Sequence, residues 1–164
     1  MPGPPRELLQ RPENRCCADC GAREPRWASV NLGIVICEVC SGIHRRLGTH
    51  LSQVRSTTLD AWKPEWVETL RRVGNARSKA FYEHAVPEAE RYFGETAFTG
   101  GDRIDDAAAR VLERWIRAKY ELRLYVPPGK TAPELRHGAE ARERRRAAKL
   151  GHELRHGDGL HKAA

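Results

Sequence analysis

Cys17-Ala18-Asp19-Cys20 and Cys37-Glu38-Val39-Cys40 stand sixteen residues apart, and the second pair runs straight into Ser41-Gly42-Ile43-His44-Arg45. Each Cys-x2-Cys turn lets two sulfurs converge on one ion, and the intervening loop returns the second pair to complete a tetrahedron around Zn²⁺ at ~2.3 Å. Four protein ligands leave no open coordination position, which is the mark of a structural zinc site. Zinc at Cys17, Cys20, Cys37 and Cys40 is therefore expected to fold the chain. Any chemistry must come from residues that the knot positions.

The same thiols could close two disulfides in an oxidising compartment. The stretch Met1 to Gln10 is rich in Pro and has no apolar core of a secretory leader. That favours a cytoplasmic, reducing setting, in which paired Cys-x2-Cys spacings point to metal. Cys16 is the odd thiol: it offers a Cys16-x3-Cys20 register, but reads more simply as a spare, weakly buried residue.

A chain of 164 residues with 40% hydrophobic content suits one domain with a real core. Its longest apolar run, Leu32 to Cys37, is far too short to span a bilayer. The net charge is +7, of which +4 falls in residues 127–164. That segment has four of the seven histidines, no aromatic residue and a duplicated Glu-Leu-Arg-His-Gly at Glu134–Gly138 and Glu153–Gly157. It reads as a basic tail, disordered or with a transient helix around Glu140 to Leu150; the repeat could be a binding motif or a weak histidine metal site, but reads more simply as low-complexity drift. The run Arg142-Glu143-Arg144-Arg145-Arg146 is a candidate contact for acidic lipid or RNA, although such runs are commonly just solvated.

Upstream, the pattern predicts an α+β domain, mostly helical, over residues 1–126: a four-cysteine zinc finger with a small β-sheet surrounded by α-helices. Ser41 to Leu47 reads as a short helix ended by Gly48. Strands are expected at Gly33 to Cys37 and near Gln53 to Leu59. Pro64 suits a first helical turn and would put Trp66, Leu70 and Val73 on one face, stopping near Gly74-Asn75. Another helix is expected from Ala76 to about His84, before Pro87. In the last, Ile104, Ala108, Val111, Trp115, Ala118 and Leu122 recur at steps of three and four and predict one buried face. Asp102, Asp105 and Asp106 sit where the helix dipole favours negative charge. Pro127-Pro128-Gly129 then ends regular structure. Glu90 to Gly101 reads as a loop anchored by aromatics.

The pattern Cys-x2-Cys-x16-Cys-x2-Cys-x4-Arg, as Cys17, Cys20, Cys37, Cys40 and Arg45, resembles the signature of the domain that activates Arf GTPases, the ArfGAP zinc-finger family. Pro25-Arg26-Trp27-Ala28-Ser29, Leu32-Gly33-Ile34, Thr58-Leu59-Asp60, Gly74-Asn75 and Trp115-Ile116-Arg117-Ala118-Lys119-Tyr120 are also typical of it, and the likeness covers roughly Glu7 to Leu122. The resemblance implies that the partner is a GTP-bound Arf-family small GTPase involved in vesicle trafficking. Arg45 would be an arginine finger inserted into that GTPase, with no reaction catalysed by this chain alone. It gives Trp27 a supporting role, bracing the finger or touching the partner; without it, Trp27 would read as a core tryptophan. His44 reads as a hydrogen-bonded core histidine. Arg46, where many relatives have a neutral polar residue, reads as exposed and basic, and the stretch Phe93 to Asp102 looks longer than usual.

Two rival readings accompany this one. Paired Cys-x2-Cys knots followed by a helix also occur in DNA-binding fingers of the GATA type, and a pI of 9.5 suits a phosphate partner. Against it, the helix after Cys40 ends early and much of the charge lies in the tail, so nucleic acid is not the expected partner. The other rival is a member of the same fold that binds without activating. The presence of Arg45 argues against it.

Overall fold

The computed structural model describes residues 3–91 and 104–133. Three short strands, β1 (Trp27–Ser29), β2 (Ile34–Ile36) and β3 (Val54–Ser56), form an antiparallel sheet in the order β2-β1-β3. Around it lie α1 (Arg6–Leu9), α2 (Glu38–Leu47), α3 (Pro64–Arg72), α4 (Gly74–Tyr82) and α5 (Asp106–Ile116). The last continues into a wider π-helical turn, Arg117–Glu121, closed by the Leu122 N–H on the Arg117 carbonyl at 2.9 Å. This is the small sheet among helices that the sequence predicts. The elements up to Lys130 belong to one unit, and Thr131–Ala164 to another, of which only 131–133 are described. The repeat, the basic run and most of the loop expected at Glu90 to Gly101 lie outside the described residues.

The sheet register divides the core from the site. Ala28 pairs with Val35, while Trp27 pairs with Ile36 on one side and Ser56 on the other. Alternation along a strand puts Ala28 and Val35 on one face and Trp27 and Ser29 on the opposite one. Over the first face close Leu8, Val30, Trp62 and Leu70, with Leu9, Trp66 and Val67 partly buried at its margin. A side chain of this kind contributes about 1.5–3 kcal/mol when fully buried. The second face belongs to α2: the Ser29 hydroxyl lies 2.7 Å from that of Ser52, which in turn lies 2.8 Å from His44 Nδ1.

Several boundaries differ from those expected, each for a physical reason. α2 starts at Glu38, because the Cys37 sulfur accepts the Cys40 N–H at 3.5 Å and acts as the cap. Cysteine is not among the usual capping residues, so composition gives no sign of it. β1 has no run of strand formers long enough to announce it. Along α5 and the π-helical turn the buried residues are Leu112, Trp115, Ile116, Ala118, Lys119 and Tyr120, so Trp115 and Ala118 of the expected face are buried while Val111 is 42% exposed and Leu122 62%. The true face still follows the helical period, but a buried lysine occupies one of its positions and hides the pattern. Asp105 caps this helix by accepting the Ala108 N–H at 2.8 Å, and Asp102 lies outside the described residues.

Two contacts fix the helices to the sheet. Gly33 has φ +68°, and a Cβ there would come within 2.8 Å of the Thr69 carbonyl oxygen and 2.9 Å of Val73 Cβ, so only glycine lets α3 approach this hairpin. Asn75, buried at the start of α4, accepts the Val35 N–H at 2.9 Å and donates to the Cys16 carbonyl at 2.7 Å and to that of Val35 at 3.1 Å. Its own N–H donates to Asn14 Oδ1 at 3.0 Å. The open edge of β2 is thus closed by a side chain. Asn75→Ala leaves the buried Val35 N–H and the part-buried Cys16 carbonyl unpaired, each costing roughly 1–3 kcal/mol. The expected loss is about 2–4 kcal/mol, read as a lower urea midpoint at unchanged m-value.

Candidate metal centre and its arginine

Cys17 and Cys20 sit on a turn closed by the Gly21 N–H on the Cys17 carbonyl at 3.1 Å, and the turn is pinned to β2 by the Ala18 N–H on the Val35 carbonyl at 3.0 Å. Cys37 ends the loop after β2, and Cys40 lies in the first turn of α2. The four sulfurs all lie within 4.8 Å of one another, with Cys20 and Cys37 at 3.6 Å. Ligands at ~2.3 Å from a tetrahedral centre would be about 3.8 Å apart, so the donor set fits a four-coordinate thiolate site. Cys17, Cys20 and Cys40 are buried, Cys37 is half-buried, and Cys16, also half-buried, lies outside the cluster.

Sulfurs this close divide their protons unevenly. Hydrogen bonds from Cys17, Cys20 and Cys40 hold the Cys37 thiol far below its ordinary range. Those of Cys40 with Cys17, Cys20 and Cys37 push its thiol well up, with burial adding to the effect. A divalent cation at the centre would relieve this arrangement by stabilising every ligand as thiolate.

Beneath the knot lies a buried polar network. Asp19, between the two cysteines of the first pair, receives His44 Nε2 on Oδ2 at 2.9 Å, and Lys119 Nζ at 2.9 Å and the Tyr120 hydroxyl at 3.0 Å on Oδ1. Lys119 also donates to Glu83 at 2.7 Å and to the Ala18 carbonyl at 3.3 Å. Both Asp19 and Lys119 side chains are essentially without solvent contact. Burial pushes the Asp19 carboxyl up, but Lys119 and His44 together bring it below the usual range. Burial lowers Lys119, yet Asp19 and Glu83 more than offset it and leave the ammonium above its ordinary value.

His44 is fully buried, whereas Arg45 next to it is exposed. The guanidinium of Arg45 lies over the Trp27 ring, 4.5 Å from the centroid, and the indole Nε1–H of Trp27 donates to the Glu38 carboxylate. None of the Arg45 guanidinium N–H groups donates to another side chain or carbonyl among the described residues. Arg46, 54% exposed, reaches Glu113 of α5 at 2.9 Å, and Arg117 holds the same carboxylate at 3.0 Å. The sequence-predicted residues therefore come together: four cysteines in one cluster, and Trp27 against Arg45. Sequence reasoning missed Glu38, Asp19 and Lys119. The hints were an acid inside each Cys-x2-Cys turn and the Lys119-Tyr120 pair within the motif ending the last helix.

A cysteine knot that caps a helix and is framed by a small sheet defines a zinc-finger type of fold. Comparison with known proteins makes this specific: residues 4–129 match ArfGap, described as "Putative GTPase activating protein for Arf". The "Probable ADP-ribosylation factor GTPase-activating protein AGD15" of Arabidopsis thaliana is 46% identical over 127 residues, 77% of this chain and 47% of that protein. Stromal membrane-associated protein 1 of Mus musculus is 41% identical over 119 residues, 73% of this chain and 24% of that protein. The solution structure of the ArfGap domain of human RIP superposes with a TM-score of 0.60 at 26% identity, covering 78% of this chain and 90% of that one. The chain belongs to the ArfGap family. It spans less than half the length of these two curated relatives.

Because metal affinity here is folding energy, a strong chelator or Cys37→Ser is expected to release the metal and abolish cooperative unfolding of the N-terminal half, as followed by metal analysis and circular dichroism. Lys119→Met should lose about 3–5 kcal/mol at pH 7, since it strands Asp19 as a buried charge. The Lys119 contribution is complete below its unfolded pKa of about 10.4 and disappears as pH rises through the higher folded value. Urea titrations of the two proteins should accordingly show the stability gap narrowing as pH rises through that value.

Proposed function

We propose that this chain activates GTP hydrolysis on an Arf-type small GTPase, with zinc at Cys17, Cys20, Cys37 and Cys40 as a structural ion and Arg45 as the catalytic arginine supplied in trans. The observation that carries this reading is the state of the Arg45 guanidinium. Its face rests on Trp27 while its hydrogen-bonding edge has no acceptor among the described residues. A structural arginine would spend those donors on a carboxylate or carbonyl, as Arg46 does.

The chemistry suits such a group. As the γ-phosphoryl moves to water, negative charge redistributes over the phosphate oxygens, and a planar, permanently charged fork of five donors can hold two of them at once. The GTPase brings nucleotide, Mg²⁺ and the residue that orients water. An arginine from outside is worth 10³ to 10⁵ in turnover, about 4–7 kcal/mol of barrier. Trp27 limits the rotamers open to Arg45, so less entropy is lost when the side chain docks. A groove-reading role in nucleic acid is less well supported. Arg46 is already paired with Glu113, and apart from Arg45 the helix offers that groove no further cation.

In this reading residues 1–126 carry the activator, and residues 127–164 form a basic tail that contributes peripheral contact with anionic membrane. The place of action is the cytoplasm and membranes bearing the GTPase. Single-turnover hydrolysis by a GTP-loaded Arf protein tests the central claim. The zinc-loaded native chain should accelerate it by at least 10³-fold, and Arg45→Lys should remove nearly all of that gain with binding retained. An Arg45→Lys chain as active as the native one, or a folded native chain inert on every Arf, would refute it.

A further inference from the structure

Glu38 and Arg45 lie seven residues apart on α2, two helical turns, and therefore point to the same side of that helix. Trp27, reaching across from β1, fits between them. Its indole N–H is held by the Glu38 carboxylate, and its ring face lies under the Arg45 guanidinium. An indole has one donor and two faces. Fixing the donor removes most of the freedom about χ2, and so fixes which way the face looks.

We propose that Glu38 is a positioning residue for Arg45, acting through Trp27. This rests on the reading of Arg45 as the catalytic arginine and extends it to a residue whose sequence context shows only an acid between two cysteines. Glu38 sets the plane of the indole, and the indole plane sets the guanidinium. Without that hydrogen bond the half-buried Trp27 ring can turn about χ2, and Arg45 loses the platform that keeps its donor edge outward. The carboxylate also lies in the first turn of α2, where an acid favours the helix for dipole reasons alone. That simpler role depends on charge, whereas positioning depends on an acceptor. The two are separable because glutamine lacks the charge and keeps an acceptor oxygen.

The experiment uses the zinc-loaded full chain as native protein, Glu38→Gln, Glu38→Ala and Arg45→Lys, each assayed on a GTP-loaded Arf protein for kcat and KM. In parallel, the Trp27 indole N–H is followed by ¹⁵N NMR without any GTPase present. The expected result is a kcat about tenfold lower for Glu38→Ala at nearly unchanged KM, with rescue to within about twofold by Glu38→Gln. The indole resonance should move upfield and exchange faster in Glu38→Ala alone.

If Glu38→Gln fails as badly as Glu38→Ala, or if both raise KM while kcat holds, the charge itself matters and the positioning role is wrong. An unchanged kcat in Glu38→Ala with a displaced indole resonance would overturn the proposal while leaving Arg45 in its role, provided Arg45→Lys is inactive. An Arg45→Lys chain that remains active removes the reading beneath it, and the proposal falls with it. The indole resonance then still reports whether Glu38 holds the tryptophan.

Discussion

The Asp19 carboxylate is the point at which the parts of this domain meet. It leaves water completely, which for an isolated carboxylate would cost far more than the folding free energy of a domain this size. It is tolerated because three donors from two distant stretches of chain converge on it: His44 from α2, and Lys119 and Tyr120 from the π-helical turn after α5. Lys119 cannot be solvated either and needs Asp19 and Glu83 as much as they need it. The network is thus an all-or-none arrangement. The first cysteine turn, the helix that carries Arg45, the end of α4 and the C-terminal helix are held in one relative geometry.

That geometry explains why an exposed arginine can be presented with little freedom. Ile43, His44 and Leu47 are buried on the inner side of α2, and its first turn begins at a cysteine of the cluster, so the helix can neither slide nor fray from that end. On the outer side Trp27 and Glu38 constrain Arg45, whose guanidinium faces solvent. Rigid support below and a shaped platform beside it are what a group needs to meet a transition state without first being ordered.

Much of this is legible in residue order alone, and the reason differs between elements. The cysteine knot is legible because metal coordination imposes a spacing that chance seldom supplies, and α3 because Pro64 and the apolar step from Trp66 to Leu70 and Val73 obey local rules. The start of α2 is not legible, since a sulfur takes the place of the expected capping oxygen. The face of α5 is misjudged by one position, because pattern reading treats a lysine as exposed and cannot know that two carboxylates await it. Arg46 has the look of a free surface charge, yet Glu113 lies 67 residues away in sequence and 2.9 Å away in space. Trp27 divides between two readings on sequence grounds. Its half-buried place combines both, with one ring face in use under Arg45.

The strength of the Trp27–Arg45 contact has a consequence for control. A cation over an aromatic face at a solvent-exposed site is worth about 0.5–1 kcal/mol. On a Boltzmann scale that enriches the stacked orientation by a factor of about two to five. Such a preference orders the guanidinium without trapping it, and phosphate oxygens can draw it away at negligible cost. A resting contact this shallow is a poor off-switch. If Arg45 acts as proposed, a domain built in this way is poised at all times, and what would govern its output is how often a partner comes within reach.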